Sequence, residues 1–306
     1  MHNTAKTTEF FHILFWHRTI KESGIGLACE EAARIILSEN RPFSMETAAC
    51  DEEYEPSSEY DSSFALQIFA AREAVFKILA KESLSIHEKL IVILDMGSKI
   101  QQCINTDEYD NIKSVVNDYL KEGIAHTLDE TRNLSDSGQF EDISLQQGIR
   151  QILYPYEEME VLNPEWEVIL KDIIDSLFEQ MSDEEYNILN EEFGTYMVSR
   201  AYEYRQLLEY LVFRYFAKSI YDYDFLGKCQ MLVTNFFVIR QMDIIRWLDN
   251  HREYSFKDRM DVVHIFSRQV EYSEDNIENL YEDFIFDDIF KTDSLIAILW
   301  IDSENI

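Results

Sequence analysis

Turn-forming residues are scarce in this sequence, and this scarcity limits the folds that the chain can adopt. Only 8 glycines and 4 prolines occur among 306 residues, while 46% of the residues are hydrophobic. Few turn formers favour long helices joined by short polar loops. The hydrophobic content is sufficient for a sizeable core and argues against a disordered chain. We therefore predict an all-α fold, a multi-helix bundle with a second helical layer.

Several helix starts can be read from capping patterns. Ser85 with Glu88 matches the capping box, in which a serine and a glutamate three residues later satisfy free backbone N–H groups. The same pattern recurs at Ser182 with Glu185. The other predicted starts are Asn163-Pro164, Ser255 and Ser273. We expect two long helices within residues 195–250, with a break at 223–227.

The pattern along the chain predicts four segments. Residues 1–28 are expected to be poorly anchored, and their apolar run "EFFHILFWHRTI" fits a strand or a helix equally well. Residues 29–121 should form an N-terminal helical layer. Residues 122–162 are more polar and are predicted to be a linker or mobile loop. Residues 163–306 should form a C-terminal helical bundle.

The charge balance is strongly acidic. The chain has 27 lysines and arginines against 59 aspartates and glutamates, a formal net charge of −32. Such a surface repels phosphate backbones and anionic lipids, so we expect neither a nucleic-acid partner nor a membrane partner. A lysine-rich protein would be attracted instead. The acidity alternatively serves only to keep the protein soluble.

The four cysteines, at positions 29, 50, 103 and 229, have no CxxC spacing. This arrangement predicts neither a zinc knuckle nor a disulfide framework, and reduced thiols fit a cytoplasmic protein. The sequence shows no secretory signal and no apolar run of membrane-spanning length. We therefore expect a cytoplasmic protein, whose oligomeric state the sequence leaves open.

Polar residues are grouped in one stretch near the C-terminus. His264, Ser267, Arg268 and Glu271 are spaced i, i+3, i+4 and i+7, which places them on one face of a regular helix. Side chains grouped in this way can line a cleft. They can equally form the solvent-facing side of an amphipathic helix, and the spacing does not separate the two interpretations.

Charged residues also occur inside the apolar segment "VIRQMDIIRWLDN", residues 238–250. Arg240 and Arg246 each lie three residues from Asp243. Because an unpaired buried charge is unfavourable, a carboxylate partner within or between helices is one interpretation. The other is that an arginine holds a substrate or cofactor carboxylate. A nearby set of aromatic residues at helical spacing is typical of core: Tyr202, Tyr204, Tyr210, Phe213, Tyr215, Phe216, Tyr221 and Tyr223.

Nucleotide-binding, zinc-hydrolase and nucleophile-elbow motifs are absent, but two stretches resemble a known family. The first is "GLACEEAARIIL", residues 26–37. It resembles the Cys-Pro-Glu-x-Ala-Arg segment of the bacterial flagellin lysine N-methylase family. Cys29, Glu31, Ala33 and Arg34 match that segment, while Glu30 replaces its proline. Upstream, Trp16-His17-Arg18 is similar to the family's aromatic-Pro-Arg step.

The second stretch comprises residues 209–250 and 258–280, which are similar to the family's C-terminal helices. The matching positions are Arg214, Tyr215, Phe216, Arg240, His264, Ser267, Arg268, Glu271, Ser273 and Asn276. Tyr272 departs from the pattern, where a histidine is expected. With a weaker middle part, the resemblance spans nearly all of residues 13–285.

The chain departs from the family in its cysteines. The resemblance implies a cysteine-rich leading segment of the CxxxCxxxCC type, thought to carry an iron–sulfur cluster used with S-adenosylmethionine. Cys29 is the one cysteine that can be placed on the family's pattern. Because a four-iron cluster usually takes four thiolates, this chain alone does not supply the ligands. We therefore expect a truncated form of the family.

The resemblance implies methyl transfer from S-adenosylmethionine to lysine side chains of flagellin. For this activity we predict His264 and Glu271 as catalytic residues, because a lysine amine must lose its proton before attack. Cys29, Arg240 and Arg268 are the candidates for cofactor binding, and no metal site is predicted. The alternative is a catalytically inactive acidic helical protein that binds flagellin or a partner subunit. A helical scaffold unrelated to methylation also remains open.

Overall fold

The fold was examined in a computed structural model, which describes residues 8–15, 18–24, 26–38, 40–41, 62–136 and 143–304. The prediction of an all-α fold is confirmed for the body of the protein. A two-stranded antiparallel hairpin precedes this body, with Phe15 opposite Arg18 and Thr8 opposite Gly24. Within the described ranges, no helix is both long enough and apolar enough to span a membrane.

The strands and helices follow each other in this order. The first half contains β1 (Thr8–Phe15), β2 (Arg18–Gly24), α1 (Glu30–Leu37), α2 (Ser62–Leu79), α3 (Ile86–Asn105), α4 (Ile112–Asp118), α5 (Ile124–Asp136) and α6 (Leu145–Glu157). The second half contains α7 (Pro164–Ile173), α8 (Asp183–Met197), α9 (Ala201–Tyr215), α10 (Ser219–Asp222), α11 (Leu226–Asp249), α12 (Phe256–Phe266), α13 (Glu274–Phe286) and α14 (Thr292–Glu304). Three π-helical segments follow α4, α7 and α12 directly, at Tyr119–Gly123, Ile174–Glu179 and Ser267–Glu271.

The predicted helix starts are confirmed by capping hydrogen bonds. Ser85 and Ser182 form complete capping boxes with the glutamates three residues later. Ser255 forms a capping box with Asp258, and the Ser273 hydroxyl accepts from the Asn276 backbone N–H. The remaining predicted start is also correct, since the Asn163 side chain caps α7 and Pro164 is its first residue. Local sequence therefore determines these helix starts.

Helix α11 is the centre of the body. Every residue from Gly227 to Ile245 is buried, and α3, α6, α7, α9, α12, α13 and α14 all pack against it. The predicted break before this helix is confirmed at Tyr223, whose φ of 56° is left-handed and ends α10. The buried apolar side chains form one continuous core from Leu27 to Trp300. The boundaries between the four predicted segments stay predictions.

Residues 122–162 are not a linker, and that prediction is wrong for the described part of the segment. Helices α5 and α6 occupy most of it, and Leu145, Ile149 and Tyr156 are fully or almost fully buried. The loop after α6 is also fixed, because the side-chain amides of Gln269 and Asn276 hydrogen-bond to its backbone. Polar composition misled the prediction, since each of these helices buries only one face and leaves its other residues exposed.

The N-terminal residues contact the body at two described points, where the prediction of poor anchoring is wrong. Glu22 in β2 accepts two hydrogen bonds from Arg72 in α2, at 2.6 and 2.5 Å. Leu27 has no exposed surface, and its backbone N–H donates to the Tyr210 hydroxyl at 3.4 Å. These contacts bring the start of α1 against α9 and α12.

Candidate functional site

The predicted polar face is divided by a change in helix type. Helix α12 ends at Phe266, and Ser267–Glu271 continues as a π-helix. His264 and Arg268 line an open cleft, whereas Ser267 and Glu271 are buried. A regular helix would present these residues on one face, but the wider turn separates them into two groups. Single π turns of this kind are often found at functional sites.

The cleft lies between α1, α7, α11 and α12 and has a volume of about 610 Å³. This volume is in the range of pockets that hold small molecules and cofactors, about 300–1,000 Å³. Its charged and titratable lining consists of Glu30, Glu165, Asp172, Asp249, Asp261, Arg246, Arg268 and His264. Carboxylates therefore outnumber guanidinium groups, and the cleft attracts cations more strongly than anions.

Two of the predicted site residues face this cleft with unused hydrogen-bonding capacity. His264 is half-buried, and its buried Nδ1 has no hydrogen-bond partner among the described residues. Arg268 is exposed, and the described part of the chain provides no ion pair for it. The exposed Arg268 guanidinium is therefore available to a bound molecule, whereas the unpaired His264 nitrogen lies beneath the surface of the cleft. The interpretation of this face as merely solvent-facing does not explain a buried, unpaired imidazole nitrogen.

On the other side of the π-helix lies a buried cluster that we call the Glu271 centre. It consists of Tyr210, Arg214, Tyr215, Ser267 and Glu271. One carboxylate oxygen of Glu271, Oε2, is well satisfied. It accepts from the Tyr210 hydroxyl at 2.9 Å and lies 3.1 Å from Arg214 Nε. Arg214 also donates to the Tyr210 hydroxyl at 2.8 Å and to the Glu271 backbone carbonyl at 3.1 Å.

The other half of the Glu271 centre is unsatisfied. Glu271 Oε1, the Ser267 hydroxyl and the Tyr215 hydroxyl are all buried and have no hydrogen-bond partner. Burial raises the pKa of the Glu271 carboxyl, while Arg214 opposes this rise. The hydroxyls of Ser267 and Tyr215 lie near enough to Glu271 to oppose the rise as well, although neither meets the geometry of a hydrogen bond. Three polar groups thus converge with unused capacity.

The turn that leads into α1 connects the two sites. Gly26 and Leu27 are buried over the Glu271 centre, and a Cβ on Gly26 would lie 3.5 Å from Arg214 Nη1. Three residues later, Glu30 lines the cleft. Cys29, a predicted cofactor-binding residue, lies between them, half-buried, and its backbone N–H donates to the Gly26 carbonyl at 3.0 Å. The structure therefore brings Cys29, His264, Arg268 and Glu271 into one region.

Arg240, the remaining predicted site residue, lies elsewhere. It belongs to a second buried cluster, the Asp302 centre, which consists of His87, Asn190, Arg240 and Asp302. Arg240 donates to the Asn190 side-chain oxygen at 2.9 Å, and its Nε lies 3.8 Å from Asp302 Oδ2. It does not line the cleft. Of the two interpretations of this arginine, the geometry fits an ion pair between helices.

Asp243, the expected partner of Arg240, pairs with a residue of another helix. It accepts from Arg259 Nη1 at 2.6 Å and from the Tyr204 and Tyr254 hydroxyls. Burial raises the pKa of the Asp243 carboxyl, and Arg259 opposes the rise. The i, i+3 spacing in α11 therefore did not identify the partner, because a fully buried helix places its charged residues against its neighbours.

Sequence reasoning missed the role of Tyr210, which was assigned to the core with the other aromatic residues. Its ring is buried as expected, but its hydroxyl joins Leu27, Arg214 and Glu271. A usable signal was the i, i+4 spacing of Tyr210 and Arg214 on α9. Arg214 had been selected by resemblance alone, and Tyr215, Ser267 and Glu271 by their spacing as well as by resemblance. The structure brings all four together.

Metal-binding geometry is not found among the described residues. No group of three or more histidine, cysteine, aspartate or glutamate side chains there is arranged to hold a metal ion. Cys29, Cys103 and Cys229 are free thiols, and Cys50 lies outside the described residues. Burial raises the pKa of the Cys229 and Cys103 thiols, so neither is a favoured thiolate.

Comparison with known proteins gives one match. The family model described as the FliB lysine N-methylase C-terminal domain matches residues 72–298, which is more than half of the chain. No curated protein and no solved structure matches the chain. The matched range includes Arg214, Tyr215, His264, Arg268 and Glu271. The chain therefore belongs to the FliB lysine N-methylase family, of which it contains the C-terminal domain.

Proposed function

We propose that the chain takes part in methyl transfer from S-adenosylmethionine to lysine side chains of flagellin. Family membership supports the reaction class. The observation that carries the proposal is that four residues of the family pattern converge beside an acid-lined cleft: Arg214, Tyr215, Ser267 and Glu271. Ser267 and Arg268 are consecutive, so the buried centre and the cleft share one wall.

The size and charge of the cleft support binding of the methyl donor there. The methionine part of S-adenosylmethionine carries a carboxylate and an ammonium group. Arg268 can bind the carboxylate and Glu30 the ammonium, since both are exposed and line the cleft. The adenosine part needs a concave space of the kind that about 610 Å³ provides. We do not assign Arg240 to the donor, because the Asp302 centre engages it.

The acceptor must be deprotonated before it can attack. A lysine amine is protonated at neutral pH, and its lone pair becomes available only when a nearby group takes the proton. His264 and Glu271 are the two candidates, His264 at the cleft and Glu271 in the buried centre. The net charge of −32 favours a lysine-rich partner such as flagellin. The expected location of the protein is the cytoplasm.

An iron–sulfur cluster, which the resemblance implies, does not fit the described residues. A cluster of this kind is held by several thiolates that converge on one point. Cys29 is half-buried at the start of α1, whereas Cys103 and Cys229 are buried in α3 and α11. We therefore assign no step of the proposed reaction to a cluster.

The test is methyl transfer by the purified chain to purified flagellin, with S-adenosylmethionine supplied and lysine methylation measured by mass spectrometry. We expect Glu271→Gln to lower the rate by about 10²-fold or more, as for loss of a catalytic acid or base. His264→Ala should lower it less. The matched controls are Glu278→Gln and His126→Ala, since both side chains are exposed.

Absence of methylation with the wild-type chain would contradict this proposal. If the same chain bound flagellin without methylating it, the result would support the alternative of a catalytically inactive flagellin-binding protein. Unchanged rates in both Glu271→Gln and His264→Ala would still support methyl transfer, but would show that neither residue takes part in it.

A further inference from the structure

The unsatisfied half of the Glu271 centre needs an explanation. Buried polar atoms in folded proteins nearly always have hydrogen-bond partners, because an unpaired group loses its bonds to water without replacement. Here three such atoms lie together: Glu271 Oε1, the Ser267 hydroxyl and the Tyr215 hydroxyl. All three side chains are more than nine-tenths buried. Such a group is expected where a ligand supplies the missing bonds.

We propose that the Glu271 centre is the site that receives the side-chain amine of the substrate lysine. This inference rests on the proposed function and names the residues that bind the acceptor. An ammonium group has three N–H donors, and the centre offers three acceptor oxygens, from Glu271, Ser267 and Tyr215. Glu271 takes one proton from the ammonium and becomes a neutral carboxylic acid. The amine keeps two N–H groups, which the two hydroxyl oxygens accept, and a free lone pair.

The surrounding charges favour an amine over other ligands. An anion would lie against the Glu271 carboxylate, which repels it. A cation that remained charged would be repelled by Arg214, which lies 3.1 Å from the other oxygen of the same carboxylate. A neutral amine avoids both penalties, and desolvation beside a cationic group is a known way of depressing the pKa of a lysine. The geometry therefore selects the nucleophilic form of the lysine side chain.

Access to this site requires the turn before α1 to move. Gly26 and Leu27 cover the centre, and a single hydrogen bond of 3.4 Å joins Leu27 to the Tyr210 hydroxyl. Because Glu30 in the following turn lines the cleft, displacement of this segment would open the centre toward the cleft. Tyr210 and Arg214 are positioning residues here, since they hold the satisfied oxygen of Glu271 and leave the other free.

The test uses n-butylamine as a mimic of the lysine side chain and measures its binding to the full chain by ligand-observed NMR. We expect Tyr215→Phe and Ser267→Ala each to weaken binding about 10-fold, and Glu271→Gln to abolish it. Tyr272→Phe is the matched control, because Tyr272 is 63% exposed and adjacent in sequence. Melting temperatures of Tyr215→Phe and Ser267→Ala should change little, since neither hydroxyl makes a hydrogen bond of normal geometry within the protein.

Each outcome decides the inference. Equal n-butylamine binding in the wild-type chain, Tyr215→Phe and Ser267→Ala would overturn it. A lower melting temperature in both variants would also overturn it, because the hydroxyls would then have a structural role. The assay needs neither flagellin nor a methyl donor, so it is independent of the proposed function. Amine binding that follows the expected order, together with no methylation, would contradict the proposed function alone.

Discussion

Asp302 and Glu271 are both buried carboxylates that face an arginine, and their surroundings shift their pKa values in opposite directions. In the Asp302 centre, Oδ1 accepts from Asn190 at 2.5 Å and Oδ2 accepts from His87 at 2.6 Å, with Arg240 nearby. Although burial alone would raise the pKa of the Asp302 carboxyl, Arg240 and His87 lower it to about 2. In the Glu271 centre the pKa of the carboxyl is raised, because burial outweighs the opposing effects of Arg214 and the Tyr210 hydroxyl. Its Oε1 has no hydrogen-bond partner among the described residues.

This difference separates a structural cluster from one that is suited to a ligand. The residues of the Asp302 centre come from α3, α8, α11 and α14, and their mutual bonds join these four helices. Both oxygens of its carboxylate have a hydrogen-bond partner within the protein. In the Glu271 centre, half of the polar atoms join α9 to the π-helix through hydrogen bonds. The other half have no hydrogen-bond partner in the described part of the chain. Satisfaction of hydrogen bonds, rather than burial or charge, therefore distinguishes the two.

The largest expected effect comes from removing charge at each centre. Asp302→Asn leaves Arg240 buried without its counter-charge, so we expect a loss of about 3–5 kcal/mol in the free energy of unfolding. Glu271→Gln should lose about 1 kcal/mol, because burial already disfavours the charged form of Glu271 and the Arg214 side chain, 14% exposed against 3% for Arg240, keeps access to water. Urea denaturation of both variants measures the difference.

The control for this pair is Asp293→Asn, an exposed aspartate on the same helix as Asp302, for which about 0.5 kcal/mol or less is expected. If Glu271→Gln were as destabilising as Asp302→Asn, the comparison would fail, because both carboxylates would then be structural.

The second prediction uses pH to test the opposite pKa shifts. Asp302 stabilises the fold above its ordinary pKa of 3.8, and this contribution of about 2 kcal/mol is lost as the pH falls toward 2. For Glu271 the sign is reversed. Its contribution is present below its ordinary pKa of 4.5 and is lost as the pH rises through the raised value.

Urea midpoints measured from above the raised pKa of Glu271 down to about pH 2 should therefore change in opposite directions for the two carboxylates, each within its own pH window. The stability of the wild-type chain relative to Asp302→Asn should decrease as the pH falls below about 4. Its stability relative to Glu271→Gln should increase as the pH falls from above the raised pKa of Glu271 to about 4.5, and should stay constant below that pH. Parallel curves for the two variants would show that the carboxylates do not differ in the way described.

The sequence predicted those parts of the fold that depend on local rules. The serine and asparagine caps predicted where helices begin. The scarcity of turn-forming residues predicted an all-α fold. Tertiary packing determined the rest. Polar composition concealed α5 and α6, whose buried faces appear only when neighbours cover them. The π-helix at Ser267–Glu271 has no clear signal in the sequence, so the split of His264 and Arg268 from Ser267 and Glu271 was not predictable.

The smallest expected effect compares two buried tyrosine hydroxyls, one beside each centre. The Tyr186 hydroxyl, near Asp302 and Arg240, donates to Gln241 Oε1 at 2.9 Å, whereas the Tyr215 hydroxyl beside Glu271 has no partner. Tyr186→Phe leaves the Gln241 oxygen unsatisfied and should cost about 1–2 kcal/mol of unfolding free energy. Tyr215→Phe should change it by about 0.5 kcal/mol or less, or increase it, since the fold loses no hydrogen bond. Equal losses in urea denaturation would mean that Tyr215 is satisfied in solution, and the Glu271 centre would then resemble the Asp302 centre.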